Sequence, residues 1–94
     1  DVAPSRGLGD VYKRQVRIEC DNSFAGVMID RFGKDVSMIR LDDKRFVVNV
    51  EVAVSRQFLA WIISLGEGVT LVGPDNVVEM MNIEIDRLIK QYKK

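Results

Sequence analysis

Phe46, Val48, Val50 and Val52 recur at every second position between Arg45 and Val54, which puts four apolar side chains on one face of an extended chain. Such a strand cannot stand alone. Its apolar face needs a cover, and its two edges carry backbone groups that need partners. The rest of the chain supplies both. Val16-Arg17-Ile18-Glu19-Cys20 alternates in the same way and places Val16, Ile18 and Cys20 inward. Val36 to Leu41 reads as a third strand, joined to the long one through the polar turn Asp42-Asp43-Lys44. Val69 to Val72 is a short fourth, closed by Gly73-Pro74.

Helical spacing fills the intervals. Phe24, Val27, Met28 and Phe32 follow the cap candidates Asp21, Asn22 and Ser23, and Gly33 offers a stop. Ser55 caps a helix running to Leu65 that buries Phe58, Leu59 and Ile62, and Gly66 ends it. Asp75 or Asn76 caps a last helix with Val78, Met81, Ile85, Leu88 and Tyr92 along one stripe. Arg87, Lys90, Lys93 and Lys94 suit the negative end of its dipole.

This order predicts an α+β fold: a ferredoxin-like βαββαβ sandwich with an added C-terminal helix and a four-stranded antiparallel sheet with helices on one face. Right-handed crossovers place the first two helices together. The open sheet face is then predicted to carry Arg17, Glu19, Val47, Asn49, Glu51, Thr70 and Val72, a mixed surface suited to contact.

Composition excludes several functions. Ninety-four residues allow one small domain, and 47% apolar with 30% charged residues is a globular balance. Acidic and basic residues number fourteen each, so no bulk positive charge would hold the chain on a phosphate backbone. With no histidine and one cysteine, neither a Cys/His zinc site nor a thiol–imidazole nucleophile can be assembled. Asp42-Asp43 lacks the spaced oxygens of a calcium loop, and Ser55 has no base beside it. The expectation is a protein that is not an enzyme and has no cofactor. Cys20 reads as a small buried hydrophobe in a reducing compartment. No run approaches the roughly 20 apolar residues that span a bilayer, and no signal-peptide pattern opens the chain. A cytoplasmic protein without a membrane partner is expected.

Residues 1–15 stand apart, with Pro4, Gly7 and Gly9 and no apolar periodicity. Asp10-Val11-Tyr12-Lys13-Arg14-Gln15 is also the translation of the transposon-end adapter used in tagmentation sequencing, and Ser5 to Gly9 resembles the leader that accompanies it. Leu8-Gly9-Asp10 lacks the glycine spacing of a phosphate loop. The expected division is a disordered, adapter-derived segment over 1–15 and a domain over 16–94 that starts in mid-protein. Without the segment, twelve acidic residues face eleven basic ones.

Val27-Met28-Ile29-Asp30-Arg31-Phe32-Gly33, Phe46 to Val52, Ser55-Arg56-Gln57-Phe58-Leu59-Ala60-Trp61-Ile62, Leu65-Gly66, Gly73-Pro74 and Tyr92, in this order and spacing, resemble the WCX module. That module is the C-terminal extension of bacterial WYL-domain transcriptional regulators. Arg56 departs from the pattern, where proline or an acidic residue is common. The resemblance implies a parent with a winged helix-turn-helix that binds DNA, a WYL β-barrel that senses an effector such as nucleic acid, and this module. It further implies effector sensing, homodimerisation and docking on the WYL domain of the same chain.

Site expectations follow from that resemblance and from the residues. Arg31 matches the family pattern and lies near Lys34, so the two could meet an anionic effector; the competing reading is a surface ion pair with Asp30 or Asp35. Trp61 is either core or the anchor of a contact, and Arg17, Val47, Asn49 and Val72 complete the expected interface. Met28, Met80 and Met81 read as packing residues. The alternative function is an RNA-binding or small-molecule-binding ferredoxin-like domain. RNA binding calls for exposed aromatics on the central strands, where this chain has Arg17, Glu19, Val47 and Asn49. An acylphosphatase-like enzyme calls for a phosphate-cradling loop where the chain has Asp21-Asn22-Ser23.

Overall fold

The computed structural model describes residues 13–93. The elements run β1 (Lys13–Asp21), α1 (Ala25–Phe32), β2 (Ser37–Arg40), β3 (Arg45–Ala53), α2 (Arg56–Ser64), β4 (Val69–Gly73) and α3 (Asp75–Tyr92), with single 3-10 turns before α1 and before β4. The strands form one sheet in the order β2-β3-β1-β4, and every neighbouring pair is antiparallel. This is the α+β arrangement expected from the periodicity, with strand order compatible with a ferredoxin-like sandwich.

Register explains the core. Val16 faces Val50, Ile18 faces Val48 and Cys20 faces Phe46 across β1 and β3, while Leu71 and Val69 of β4 sit beside Ile18 and Cys20. Alternation sends all of them to one side, where Met28 of α1, Phe58, Leu59 and Ile62 of α2, and Val77 and Met81 of α3 cover them. Val16, Ile18, Cys20, Met28, Val48 and Val77 are fully buried. Met80 packs against this core from α3.

Local chemistry sets the element ends. The β2–β3 turn closes on Asp42, whose Oδ1 accepts hydrogen bonds from the backbone N–H of Lys44 (2.8 Å) and Arg45 (2.9 Å). The Ser55 Oγ accepts from the backbone N–H of Phe58 at 3.1 Å and so caps α2 as expected. Gly33 and Gly66, with φ of 95° and 83°, supply the positive φ that ends α1 and follows α2.

The structure corrects several boundaries. β1 begins at Lys13, not Val16, so residues 13–15 of the segment set apart above lie in the ladder opposite Ala53, Val52 and Glu51. Ladder bonds are made by backbone groups, so a strand can run on through residues with no apolar pattern. Residues 1–12 of that segment lie outside the described residues. Asp21, Asn22 and Ser23 do not cap α1: no side chain caps it, and Asn22 instead donates to the Asp43 carbonyl at 2.9 Å, tying β1 to the hairpin. Neither Asp75 nor Asn76 caps α3, because Pro74 holds the cap position and Asp75 stands in the first turn. The buried face of α3 is also rotated from the expected stripe. It carries Val77, Met81 and Glu84, whereas Ile85 and Tyr92 are exposed.

Candidate functional site

Two of the expected site residues meet at the corner between α1 and α2. Trp61 is half-buried, edge-on to Phe32 (centroids 5.6 Å apart, planes at 90°) and tilted against Phe58 (6.2 Å). Its inner side thus belongs to the core, while its outer side is covered by Arg31, whose Cζ lies 4.5 Å from the ring centroid. The partner of Arg31 is therefore this indole; among the described residues it forms no ion pair with Asp30 or Asp35. A guanidinium held over a ring keeps in-plane N–H groups that can still be donated. Lys34 is exposed in the turn that follows Gly33, without an ion pair among the described residues.

The other expected residues lie on the sheet face away from the helices. Register sets Arg17 opposite Asn49 and Glu19 opposite Val47, and Val47, Asn49 and Val72 are half-buried. Val72 is the extra residue of a bulge in β4, since Arg17 pairs with Gly73 and Ile18 with Leu71. The bulge brings Gly73 beneath the guanidinium of Arg17, in the space a Cβ would take. Ile39, opposite Val47 and 55% exposed, extends the apolar part of this face, and a Glu19–Arg45 pair at 2.7 Å borders it. Ile39 was missed because four-residue β2 offers too little alternation to show its outward parity.

A third cluster escaped the sequence reading. Glu84, 8% exposed, accepts from Arg87 Nη2 (2.5 Å) and Nε (3.2 Å) through Oε2 and from Arg56 Nε (3.3 Å) through Oε1. Arg87 hydrogen bonding holds its carboxyl below the ordinary glutamate range, with the charges of Arg87 and Arg56 acting in the same direction. The signal available in the sequence was phase: Val77, Met81, Glu84 and Leu88 recur at helical spacing, and a glutamate in a buried stripe calls for a cation beside it.

Cys20 has the opposite character. Burial, and then the nearby Asp21 and Glu19, push its thiol up to about 11, so it stays protonated at neutral pH, with Sγ 3.8 Å from the Ile18 carbonyl oxygen. Among the described residues no group of three or more metal-ligating side chains comes together, and no described helix is long and apolar enough to cross a membrane.

Residues 12–89 match the family described as the WCX domain. The chain belongs to the WCX family. The match spans every strand and almost all of α3, so the Arg31–Trp61 corner, the open sheet face and the Glu84 cluster are all features of one WCX domain. No curated protein matches the chain.

Proposed function

We propose that this WCX domain is the regulatory C-terminal module of a bacterial WYL-family transcriptional regulator, whose DNA-binding helix-turn-helix and WYL domain lie outside these residues. It has no catalytic role, acts in the cytoplasm, docks on the WYL domain of its own chain and takes part in homodimerisation. The family match carries this reading. Arg31 and Lys34 are the groups that meet an anionic effector. What supports them is their exposure, without carboxylate partners among the described residues, and the indole of Trp61 holding the arginine in place. The open face with Val47, Asn49, Val72 and Ile39 is the docking surface, in keeping with its mixed polarity.

Residues 1–15 are, in this reading, an adapter-derived replacement for the parent's own sequence. The match begins at residue 12 and the ladder at Lys13, so the adapter origin rests on the residue string alone.

The experiment is a titration with a short single-stranded oligonucleotide, followed through the fluorescence of Trp61, the only tryptophan. Binding that weakens with salt, and weakens further in Arg31→Ala, supports the reading; no response of Trp61 at low salt overturns the effector assignment. The small-molecule alternative draws on one observation, an open cleft of about 380 Å³ floored by Ala25, Met38 and Phe46 with an Arg40–Asp43 pair at its rim. A ligand seated there would leave the Trp61 signal unchanged and shift Met38 instead.

A further inference from the structure

The Glu84 cluster stands at the end of a groove that the proposed function does not use. Val54 just after β3, Leu59 of α2, and Met80 and Ile83 of α3 line an open depression of about 230 Å³, with Arg56 and Glu84 along one side. Ile83 is 60% exposed there, a large apolar side chain left in water.

Charge does not balance at this groove. Glu84 carries one negative charge and pairs with two arginines, so the cluster keeps a net positive charge. Arg87 spends Nε and Nη2 on Glu84 and Nη1 on the Gln91 side chain. Arg56 spends only Nε, at 3.3 Å, and its side chain is 69% exposed; among the described residues no acceptor takes its two terminal nitrogens. Arg56 is moreover the first residue of α2, whose opening turn holds no acidic residue, so the positive end of the helix dipole adds to the same potential. The free end of Arg56 presents the planar pair of donors that a carboxylate accepts.

Size selects among carboxylates. Small-molecule sites usually enclose about 300 Å³ or more, and this depression is smaller and open. It suits one protruding apolar side chain, as pockets at protein interfaces do. We infer that this groove docks an acidic–apolar segment of a partner polypeptide, in which a leucine-like side chain lies on Leu59, Met80 and Ile83 while a neighbouring side-chain carboxylate takes the free edge of Arg56. The site is separate from the Arg31–Trp61 corner and stands or falls independently of the effector reading.

The test uses the full chain and a synthetic peptide of eight residues or so, capped at both ends, with Glu next to Leu in a Gly/Ser background. Methyl signals of Leu59, Met80 and Ile83 are followed by NMR as peptide is added. The inference expects saturable shifts at these methyls, with affinity reduced about fivefold when the peptide Glu becomes Gln or the protein carries Arg56→Gln. Ile83→Ala, on an exposed position, should weaken binding without disturbing the fold, which keeps the test meaningful if Arg56→Gln loosens the Glu84 pairing. Equal binding of the Glu and Gln peptides, shifts centred on Trp61, or no saturable shift at the groove would each overturn it.

Discussion

At the scale of single residues, the positions where charge meets apolar surface decide what the domain can do. Arg31 is held by an indole, and among the described residues no carboxylate pairs with it, so its charge stays available. Arg31→Ala should lower affinity for a single-stranded oligonucleotide and reduce the slope of log affinity against log salt by about 0.7, the contribution of one phosphate contact on a single strand. Salt-dependent fluorescence titration reads both. Glu84 leads to a pH dependence with a definite sign. Its folded-state pKa lies below the ordinary glutamate value, so the stability it contributes is fully present above that value and is lost as pH falls through the folded pKa. Asp42, lowered first by the backbone N–H of Lys44, acts in the same direction. Glu84→Gln should therefore depress Tm at pH 7, with the difference from the parent shrinking as the solution is acidified below about pH 4. A gap that stays constant across that range would show that the carboxylate charge is not what the arginines hold.

At the scale of elements, backbone requirements and side-chain requirements were unequally legible. Alternation in Phe46 to Val52 and in Val16 to Cys20 located both central strands, because one face of each had to be apolar. Ser55 was readable because a hydroxyl at that place satisfies an amide the helix leaves open. Ser55→Ala should cost about 1 kcal/mol in a urea melt. Other ends were not readable. The first three residues of β1 carry no apolar pattern, yet the ladder extends through their backbone; Asp21, Asn22 and Ser23 had the right chemistry for a cap, but Asp21 ends β1 and the other two lie in a 3-10 turn, where Asn22 bonds the hairpin instead. The α3 stripe was misphased by one position because Ile85 and Tyr92 look like core residues, whereas the stripe actually holds a glutamate. Its arginine partner Arg56 comes from a helix 28 residues away in sequence, a separation that periodicity cannot bridge. The same gap in reach hid the Arg31–Trp61 contact, where each residue was singled out but not their meeting.

At the scale of the whole molecule, a sheet covered on one side presents three unlike surfaces: the open face, the Arg31–Trp61 corner and the Glu84 groove. In an intact regulator, Val47→Asp should weaken assembly measured by ultracentrifugation, since it would place an unpaired carboxylate in the contact. In the isolated domain the same change should cost only about 1 kcal/mol, because the new charge faces Glu19 across the ladder without entering the core. Unchanged assembly would remove the open face from the docking account. The central claim, that this WCX domain closes a WYL-family regulator, is tested most directly by sequencing the source DNA contiguously upstream of the codon for Val16. The codons for residues 10–15 should be absent there, with the frame continuing back through a WYL domain into a winged helix-turn-helix. A frame that retains those codons, or that leads into an unrelated domain, would contradict it.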